Sequence, residues 1–410
     1  RADSITHLEA NALETDLPAE SADLLIATFG LKTFDADQQA LLAHQIARIL
    51  RPGGAFALIE ASDVVVCCGS GGVGKTTTAA VLGLEAARRG RRVVVVTIDP
   101  ARRLADALGM ADGLSSEPQR IDVDPAADGS SDAGELSAMM LDTAVTFDGL
   151  VRKHADDDEQ VERILNNPFY RNMASAMSGT QEYMAAETLH ALHHDDRFDL
   201  VIVDTPPSRN ALDFLDAPGV LSRFLDHRIF KLAMLPTRSG LKIFGAAAQP
   251  IFKAIGKVVG SDVLADSLAF FQAFAGMETG FRERADDVVA LLRAEGTAFV
   301  VVASPRHDTI TEAVWFTEQL QDQDVRLAAA IVNRLVPDFG STVDDSPSAL
   351  ADVSDEISGD LASLVANVAE LRAIRDAELA SLQPLLNLAG DAPVALLALL
   401  DHDVHDLDAL

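Results

Sequence analysis

The sequence predicts an α/β fold built on a parallel β-sheet with helices on both faces. Short all-apolar segments, without the alternation of half-exposed strands, recur along the chain between long helical patterns. Strands of that kind are typical of parallel sheets, because helices cover both faces of such a sheet. The segments lie at residues 64–68, 93–98, 200–203, 299–303, 328–332 and 394–399.

Composition narrows the class of protein. Of 410 residues, 48% are hydrophobic and 23% charged, which is the balance of a folded chain rather than a disordered one. This length favours more than one domain. The longest apolar run, 392–400, is about half the length of a bilayer-crossing helix. The 33 basic and 63 acidic side chains give a formal net charge of −30, which argues against a nucleic-acid partner.

The cysteines and the first residues predict where the protein works. Cys67 and Cys68 are the only cysteines and are adjacent, so they cannot form an ordinary disulfide or a four-cysteine zinc site. The start lacks the zones of a signal peptide. We therefore expect a soluble, cytoplasmic protein. Because the sequence begins with Arg rather than Met, we also expect a fragment or a processed start.

Taken in order, the elements predict two pieces, residues 1–61 and 62–410. The first is a partial β-α-β unit with strands at 23–29 and 55–60, a helix at 35–50, and a stop and turn at 51–54. The second contains the parallel sheet. Two long stretches of it, 131–194 and 210–294, are predicted to be helical insertions that together form a subdomain above the sheet, and 344–360 is predicted to be a mobile loop.

The chain reads GSGGVGKT at residues 69–76, directly after the strand at 64–68 and before a helical pattern at 76–89. This satisfies GxxxxGK[ST] in a strand–loop–helix context, which predicts a P-loop. Its glycines let successive N–H groups point at phosphate oxygens, and the helix N-terminus adds partial positive charge. Lys75 is expected to neutralise β- and γ-phosphate charge, and the Thr76 hydroxyl to bind magnesium.

Two aspartates follow later strands, where ligands of an open α/β sheet gather. A strand-end aspartate is more often a cap or a turn former. Sharing a sheet with a P-loop favours the catalytic interpretation instead. We expect Asp204 to act on the magnesium side through water, and Asp99 to orient the attacking water.

Five motifs occur in a characteristic order: GSGGVGKTT, TIDPARRLAD, SGTQEYMAAE, VDTPPSRNALDFLD and IVNRL. Together they resemble the arsenite-pump and tail-anchored-protein-targeting ATPase family, within the deviant-Walker-A class of dimeric P-loop ATPases, over about residues 62–410. The ending DVHDLDAL is similar to bacterial, arsenite-pump-like members. The resemblance implies ATP and Mg²⁺ as cofactors and a homodimer, or a heterodimer with a paralogue.

The resemblance also implies roles by position. Asp99 falls in switch I and 204–208 in switch II. Asn333, directly after the predicted strand 328–332, is similar to the family's adenine reader, and its other interpretation is a turn former. The phosphate loop corresponds to Gly71, Gly72, Val73, Gly74, Lys75, Thr76 and Thr77.

Two departures from the family pattern matter. The class carries a signature lysine where this chain has Ser70. Either an arginine replaces it, with Arg209 preferred over Arg102 and Arg103, or nothing does and the chain is a slow ATPase or the weak partner of a heterodimer. The second departure concerns thiols: two cysteines in a buried strand disfavour both arsenite capture and an interfacial zinc.

The opening residues carry a separate resemblance. The segments 11–13, 17–18 and 22–25, followed by ARILRPGGAFALIE, resemble the later half of a class I S-adenosylmethionine methyltransferase of the quinone-biosynthesis type. The Gly-rich loop and the acidic ribose-binding residue of such enzymes are missing from this sequence, so methyl transfer is not expected.

Residues 228–260 contain six basic and no acidic residues among many apolar ones. They predict either a basic amphipathic surface for a hydrophobic client or a membrane, or a helix pair with its apolar face in the core. The histidines 190, 193 and 194 are interpreted as a helix end rather than a metal cluster. We therefore expect an ATP-driven client-binding switch, with an energising subunit for anion efflux as the alternative and a methyltransferase as the weakest.

Overall fold

The computed structural model describes residues 22–27, 41, 45, 48–58, 62–99, 103–123, 134–171, 180–206, 261–274, 276–339 and 359–400. Its strands are β1 (Ala22–Ala27), β2 (Leu50–Leu58), β3 (Val64–Cys68), β4 (Arg92–Thr97), β5 (Gln119–Ile121), β6 (Glu135–Met140), β7 (Leu200–Asp204), β8 (Thr297–Ala303), β9 (Leu327–Leu335) and β10 (Val394–Ala398).

The described helices connect these strands. None of them combines the length and the apolar character that a membrane-crossing helix requires. They are α1 (Lys75–Arg88), α2 (Arg103–Ala107), α3 (Thr143–His154), α4 (Asp158–Leu165), α5 (Thr180–His193), α6 (Ser261–Phe274), α7 (Glu278–Arg293), α8 (His307–Asp322), α9 (Gly359–Ser381) and α10 (Gln383–Ala389).

Eight strands form one sheet in the order β10-β9-β8-β3-β7-β4-β6-β5. All neighbours in it are parallel except β5, which runs antiparallel to β6. The predicted α/β fold is therefore confirmed, with one antiparallel edge strand in addition. β3 lies between β7 and β8, so the loop that follows β3 leaves from the interior of the sheet.

Helices cover both faces of the sheet, as the unalternating strands predict. Val65 and Cys67 of β3 face a core shared with Ala80 and Leu84 of α1. The alternate β3 residues face a second core with Leu189 of α5, Phe281 of α7 and Phe316 of α8. Every β3 side chain is at most 1% exposed, so β3 is buried between the two helical layers.

β6 lies within the first predicted insertion, residues 131–194, which therefore does not begin as a helix. β6 has the sequence ELSAMM, whose residues are helix formers or neutral rather than β-branched. Pairing with β4 makes this segment a strand, and its Leu136 and Ala138 side chains are fully buried. Tertiary packing thus overrides local propensity in this segment.

The remaining described helices of the insertions pack on one another. The side chains of Asp142 and Asp157 accept hydrogen bonds from the first turns of α3 and α4 and so fix where these helices start. An aromatic cluster then joins α3 to helices of the second insertion: the ring centroids of Phe147 and Phe281 are 6.3 Å apart and those of Phe274 and Phe281 are 5.0 Å apart. Residues 207–260 and most of the predicted loop 344–360 lie outside the described residues.

The first piece pairs β1 and β2 in parallel, as expected for a β-α-β unit. The turn predicted at 51–54 is wrong, because β2 already begins at Leu50. Ala22 pairs with Leu50 but Leu24 pairs with Ala55, so the Pro-Gly-Gly segment is taken up as an irregularity within the strand.

A buried polar cluster joins α5 to α7. Arg284 Nε donates to both carboxylate oxygens of Glu187, at 2.7 and 2.8 Å, and Arg284 Nη1 lies 3.4 Å from His190 Nε2. Burial, reinforced by Arg284, lowers the pKa of His190 to about 4. α5 ends at His193 as predicted. His190 is neutral, however, so it does not contribute positive charge at the helix end. In the described parts of the chain, no His, Cys, Asp or Glu trio is placed to hold a metal ion.

The cluster predicts how stability depends on pH. His190 is neutral in the folded protein and binds a proton near its ordinary pKa of 6.5 when unfolded, so the unfolded state binds more protons as the pH falls from 6.5 towards 4. The free energy of unfolding should decrease over that window. His190→Gln keeps an acceptor for Arg284 but does not titrate. It should reduce the dependence of the free energy of unfolding on pH between pH 6.5 and 5. Part of that dependence should remain, because burial also lowers the pKa values of His154 and His193. Urea unfolding at several pH values measures this, and identical slopes for both proteins would contradict it.

Candidate functional site

The P-loop runs from the end of β3 into α1 and requires glycine at two positions. A Cβ on Gly69 would lie 2.0 Å from the carbonyl oxygen of Val302 in β8. Gly74 has a φ of 95°, and a Cβ there would lie 2.4 Å from Asn333 Nδ2. The loop can therefore take this path only without side chains at these points.

Lys75 stands at the start of α1 and is 6% exposed. Its Nζ donates a hydrogen bond to the carbonyl oxygen of Ser70, 2.8 Å away, and so spans the loop. Burial lowers the pKa of Lys75, while the Asp204 carboxylate raises it. The ammonium group is thus held within the loop that is predicted to bind phosphate.

Asp204 ends β7 and is 1% exposed. Its Oδ2 accepts hydrogen bonds from Thr76 Oγ1 at 2.8 Å and from Thr97 Oγ1 at 2.9 Å. Its Oδ1 is buried and has no hydrogen-bond partner among the described residues. Burial raises the pKa of Asp204, and the two hydroxyl donors and Lys75 oppose that rise. A buried carboxylate oxygen without a partner is costly unless another group satisfies it.

A cavity of about 310 Å³ is lined by six of the predicted site residues, but not by Asp204 or Asn333. Gly72, Gly74, Lys75, Thr76, Thr77 and Asp99 all line it. Arg103 also lines it, with its Nη1 3.8 Å from Asp99 Oδ2. The structure thus places one predicted switch I carboxylate and the phosphate loop on the same cavity.

Asn333 lies within β9 and not after the strand, which corrects its predicted position. Its Nδ2 donates to the carbonyl oxygen of Val73 at 3.1 Å, and its Oδ1 accepts from the backbone N–H of Arg334 at 2.9 Å. In this structure the amide therefore binds the P-loop and its own strand. A role in reading adenine stays a prediction.

Ser70 cannot substitute for the signature lysine. It is 7% exposed, and its Oγ is buried without a hydrogen-bond partner in the described part of the chain. Of the three arginines proposed as replacements, Arg103 is described and lines the cavity. Arg102 and Arg209 lie outside the described residues, as do positions 207 and 208 of the predicted switch II.

The sequence did not predict the contacts by which Thr97 and Thr205 hold the site. Thr97 pairs with Asp204 across β4 and β7, which brings its hydroxyl to the carboxylate. Thr205 donates from Oγ1 to the carbonyl oxygen of Cys67 at 2.8 Å and ties the start of the predicted switch II segment to β3. Thr97 lies two residues before Asp99 in the sequence, but only the strand order shows that Asp204 is its neighbour.

Cys67 and Cys68 pack in β3 and are fully buried. Burial raises the pKa of both thiols, that of Cys68 to about 12. They are therefore neutral at physiological pH, in agreement with the packing role predicted for them.

A P-loop that leaves an inner strand, a buried lysine across the loop and a carboxylate at the end of the adjacent strand are the features of a P-loop NTPase. A family model described as "Anion-transporting ATPase" matches residues 62–350, and the chain belongs to this family. The predicted family and the predicted ATPase activity are thereby confirmed. A second model, described as "ubiE/COQ5 methyltransferase family", matches residues 2–71, in agreement with the resemblance of the opening segment.

Individual relatives support the same assignment. "ATPase GET3" of Malassezia globosa is 26% identical over 273 residues, covering 66% of this chain and 72% of the relative. "ATPase get3" of Aspergillus terreus is 28% identical over 280 residues, covering 67% and 74%. "ATPase get3" of Schizosaccharomyces pombe is 27% identical over 297 residues, covering 71% and 79%.

Thr97→Val keeps the shape of the side chain but removes one of the two hydroxyl donors to Asp204. We expect ATP turnover to fall about 10- to 100-fold, the usual effect of removing a group that orients a ligand of the reacting centre. Thr317→Val is the matched control, because Thr317 is equally buried but donates to Ala313 in α8. Steady-state turnover of both variants tests this, and equal losses would contradict it.

Proposed function

We propose that the protein binds Mg²⁺ and ATP at residues 71–77 and works as a nucleotide-switched dimer that grips and releases a client through its helical insertions. One observation carries the nucleotide part of this proposal. Asp204 Oδ1 has no hydrogen-bond partner among the described residues, whereas Oδ2 of the same carboxylate accepts a hydrogen bond from the hydroxyl of Thr76 in the P-loop.

The chemistry of these two groups fits magnesium. Mg²⁺ prefers hard oxygen ligands and is usually held by one or two carboxylates together with substrate phosphates. Thr76 would be a direct ligand, and Asp204 would hold the ion through water with the oxygen that lacks a partner in the described part of the chain. When bound, the ion neutralises developing phosphate charge. Its positive charge would also offset the burial that raises the pKa of Asp204.

The chain's own groups have separate tasks in hydrolysis. The loop N–H groups and Lys75 hold the β- and γ-phosphates and stabilise charge that develops there. Asp99, two residues after β4 and on the same cavity, orients the attacking water. Asn333 contacts the adenine edge with the amide hydrogen and lone pair that the P-loop and Arg334 leave available.

β7 provides a route from the nucleotide to the client. The first insertion enters β7 through α5, and the chain leaves β7 at Asp204 towards the second insertion. A change at Asp204 on hydrolysis therefore acts on a strand joined to both insertions. The basic, apolar residues 228–260 are the proposed client surface, for a hydrophobic protein or a membrane partner.

Anion efflux is the second candidate function, and the name of the family favours it. Arsenite as the anion is disfavoured, because both cysteines are buried as neutral thiols. We further propose that residues 62–410 form the ATPase by themselves and that residues 1–61 take no part in hydrolysis.

Asp99→Asn tests the role of the water-orienting carboxylate. ATP affinity should change little, while turnover should fall about 10²- to 10⁴-fold, the range for a positioned proton acceptor. The variant should also accumulate as a dimer when ATP and Mg²⁺ are present, since hydrolysis no longer opens it. Asp106→Asn, on the same cavity, is the control. Titration calorimetry, turnover and light scattering supply the readouts, and a fully active Asp99→Asn would sink the assignment.

Arg209→Ala tests whether an arginine replaces the missing lysine. If it acts on the transition state, kcat should fall far more than ATP affinity does. Arg102→Ala and Arg103→Ala provide the comparison. If all three alanine variants keep wild-type turnover while Ser70→Lys accelerates it, no arginine replaces the lysine, and the weak-partner interpretation is the one that remains.

A further inference from the structure

The end of β9 carries a bulge beside the P-loop. Val332 pairs with Leu396 and Leu335 pairs with Ala398, so two β9 residues, Asn333 and Arg334, stand opposite one residue of β10. Arg334 has a φ of 67°, a left-handed conformation that non-glycine residues seldom adopt. Bulges of this kind bend a strand and change the direction of its side chains.

The bulge brings both side chains to the same loop. In a regular strand, consecutive side chains point to opposite faces of the sheet. Here Arg334 Nη1 donates to the carbonyl oxygen of Gly72 at 2.8 Å, and Asn333 Nδ2 donates to that of Val73 at 3.1 Å. The backbone N–H of Arg334 in turn donates to Asn333 Oδ1 and fixes the amide. Gly74 makes this approach possible, since a Cβ there would collide with Asn333.

These two contacts fix two consecutive peptide planes of the loop. In a trans peptide, the carbonyl oxygen of one residue and the N–H of the next point in opposite directions. Holding the oxygens of Gly72 and Val73 from one side therefore turns the N–H groups of Val73 and Gly74 to the other side. Successive N–H groups with a common direction are what an anion-binding loop needs.

We propose that the Asn333–Arg334 bulge is a clamp that holds the P-loop in its phosphate-binding conformation, with Arg334 as a positioning residue. The clamp rests on the proposed binding of ATP phosphates at residues 71–77. Arg334 acts on the phosphates of any nucleotide and not on the base, whereas Asn333 holds the loop and is also proposed to contact adenine. Arg334 thus differs from Arg209, which is proposed to act on the transition state.

Arg334→Gly separates the guanidinium from the backbone, because glycine adopts the left-handed conformation without strain. ADP and ATP affinity should both fall about tenfold, the equivalent of one hydrogen bond of ordinary strength. The ratio of ATP to GTP affinity should stay as in the wild type. Arg334→Lys restores a cation without the planar fork and should recover part of the loss. Asp324→Gly, at the other described non-glycine residue with positive φ, is the control and should bind as the wild type does.

Calorimetric titration of the full chain with ADP, non-hydrolysable ATP and GTP analogues gives these affinities, and thermal unfolding reports whether each variant is folded. Wild-type affinity in Arg334→Gly would overturn the clamp. A second result would also overturn the clamp: Arg334→Lys loses the preference for ATP over GTP but keeps its ADP affinity. Arg334 would then act on recognition of the base. A wild-type protein that binds no nucleotide would overturn the proposed function itself, which is a different outcome from either.

Discussion

The contact between the Asp204 carboxylate and the hydroxyls of Thr76 and Thr97 is the interaction on which the site depends. It joins the P-loop helix, β4 and β7 at one point, because strand pairing sets Thr97 beside Asp204. One carboxylate oxygen accepts two hydrogen bonds, and the other has no hydrogen-bond partner among the described residues. A buried carboxylate oxygen without a partner is unfavourable in the protein alone. The arrangement supports the proposed binding of Mg²⁺ together with nucleotide phosphates.

The surrounding structure can be understood from this constraint. Buried strands on either side of β3 exclude water and keep Asp204 and Lys75 at low exposure. Asp204 raises the pKa of Lys75 and Lys75 lowers the pKa of Asp204, so each favours the charged form of the other. The P-loop lies across their carboxyl ends and is held from β9 by Asn333 and Arg334. The strand that carries Asp204 also joins the two insertions. A change in charge at the nucleotide therefore occurs beside the strand that joins the two insertions, which are proposed to move.

Much of this could be predicted from the sequence, and the failures have physical causes. The Val-rich runs of β3 and β4 predicted the parallel sheet, because β-branched side chains favour strands. The spacing of the P-loop glycines and Lys75 predicted the site. β6 was missed because its alanine, leucine and methionines favour helices, and only its neighbour makes it a strand. Thr97 and Arg334 were missed because each acts on a residue more than 100 positions away, through a strand pairing or a bulge that no local pattern shows.

Coupling between Mg²⁺ and ADP binding is the sharpest test of the proposed magnesium site at Asp204 and Thr76. ADP affinity is measured calorimetrically with and without Mg²⁺, in the wild type and in Asp204→Asn. Mg²⁺ should strengthen ADP binding in the wild type, and this gain should largely disappear in Asp204→Asn, while binding without Mg²⁺ is not weakened. An equal gain from Mg²⁺ in both proteins would contradict it.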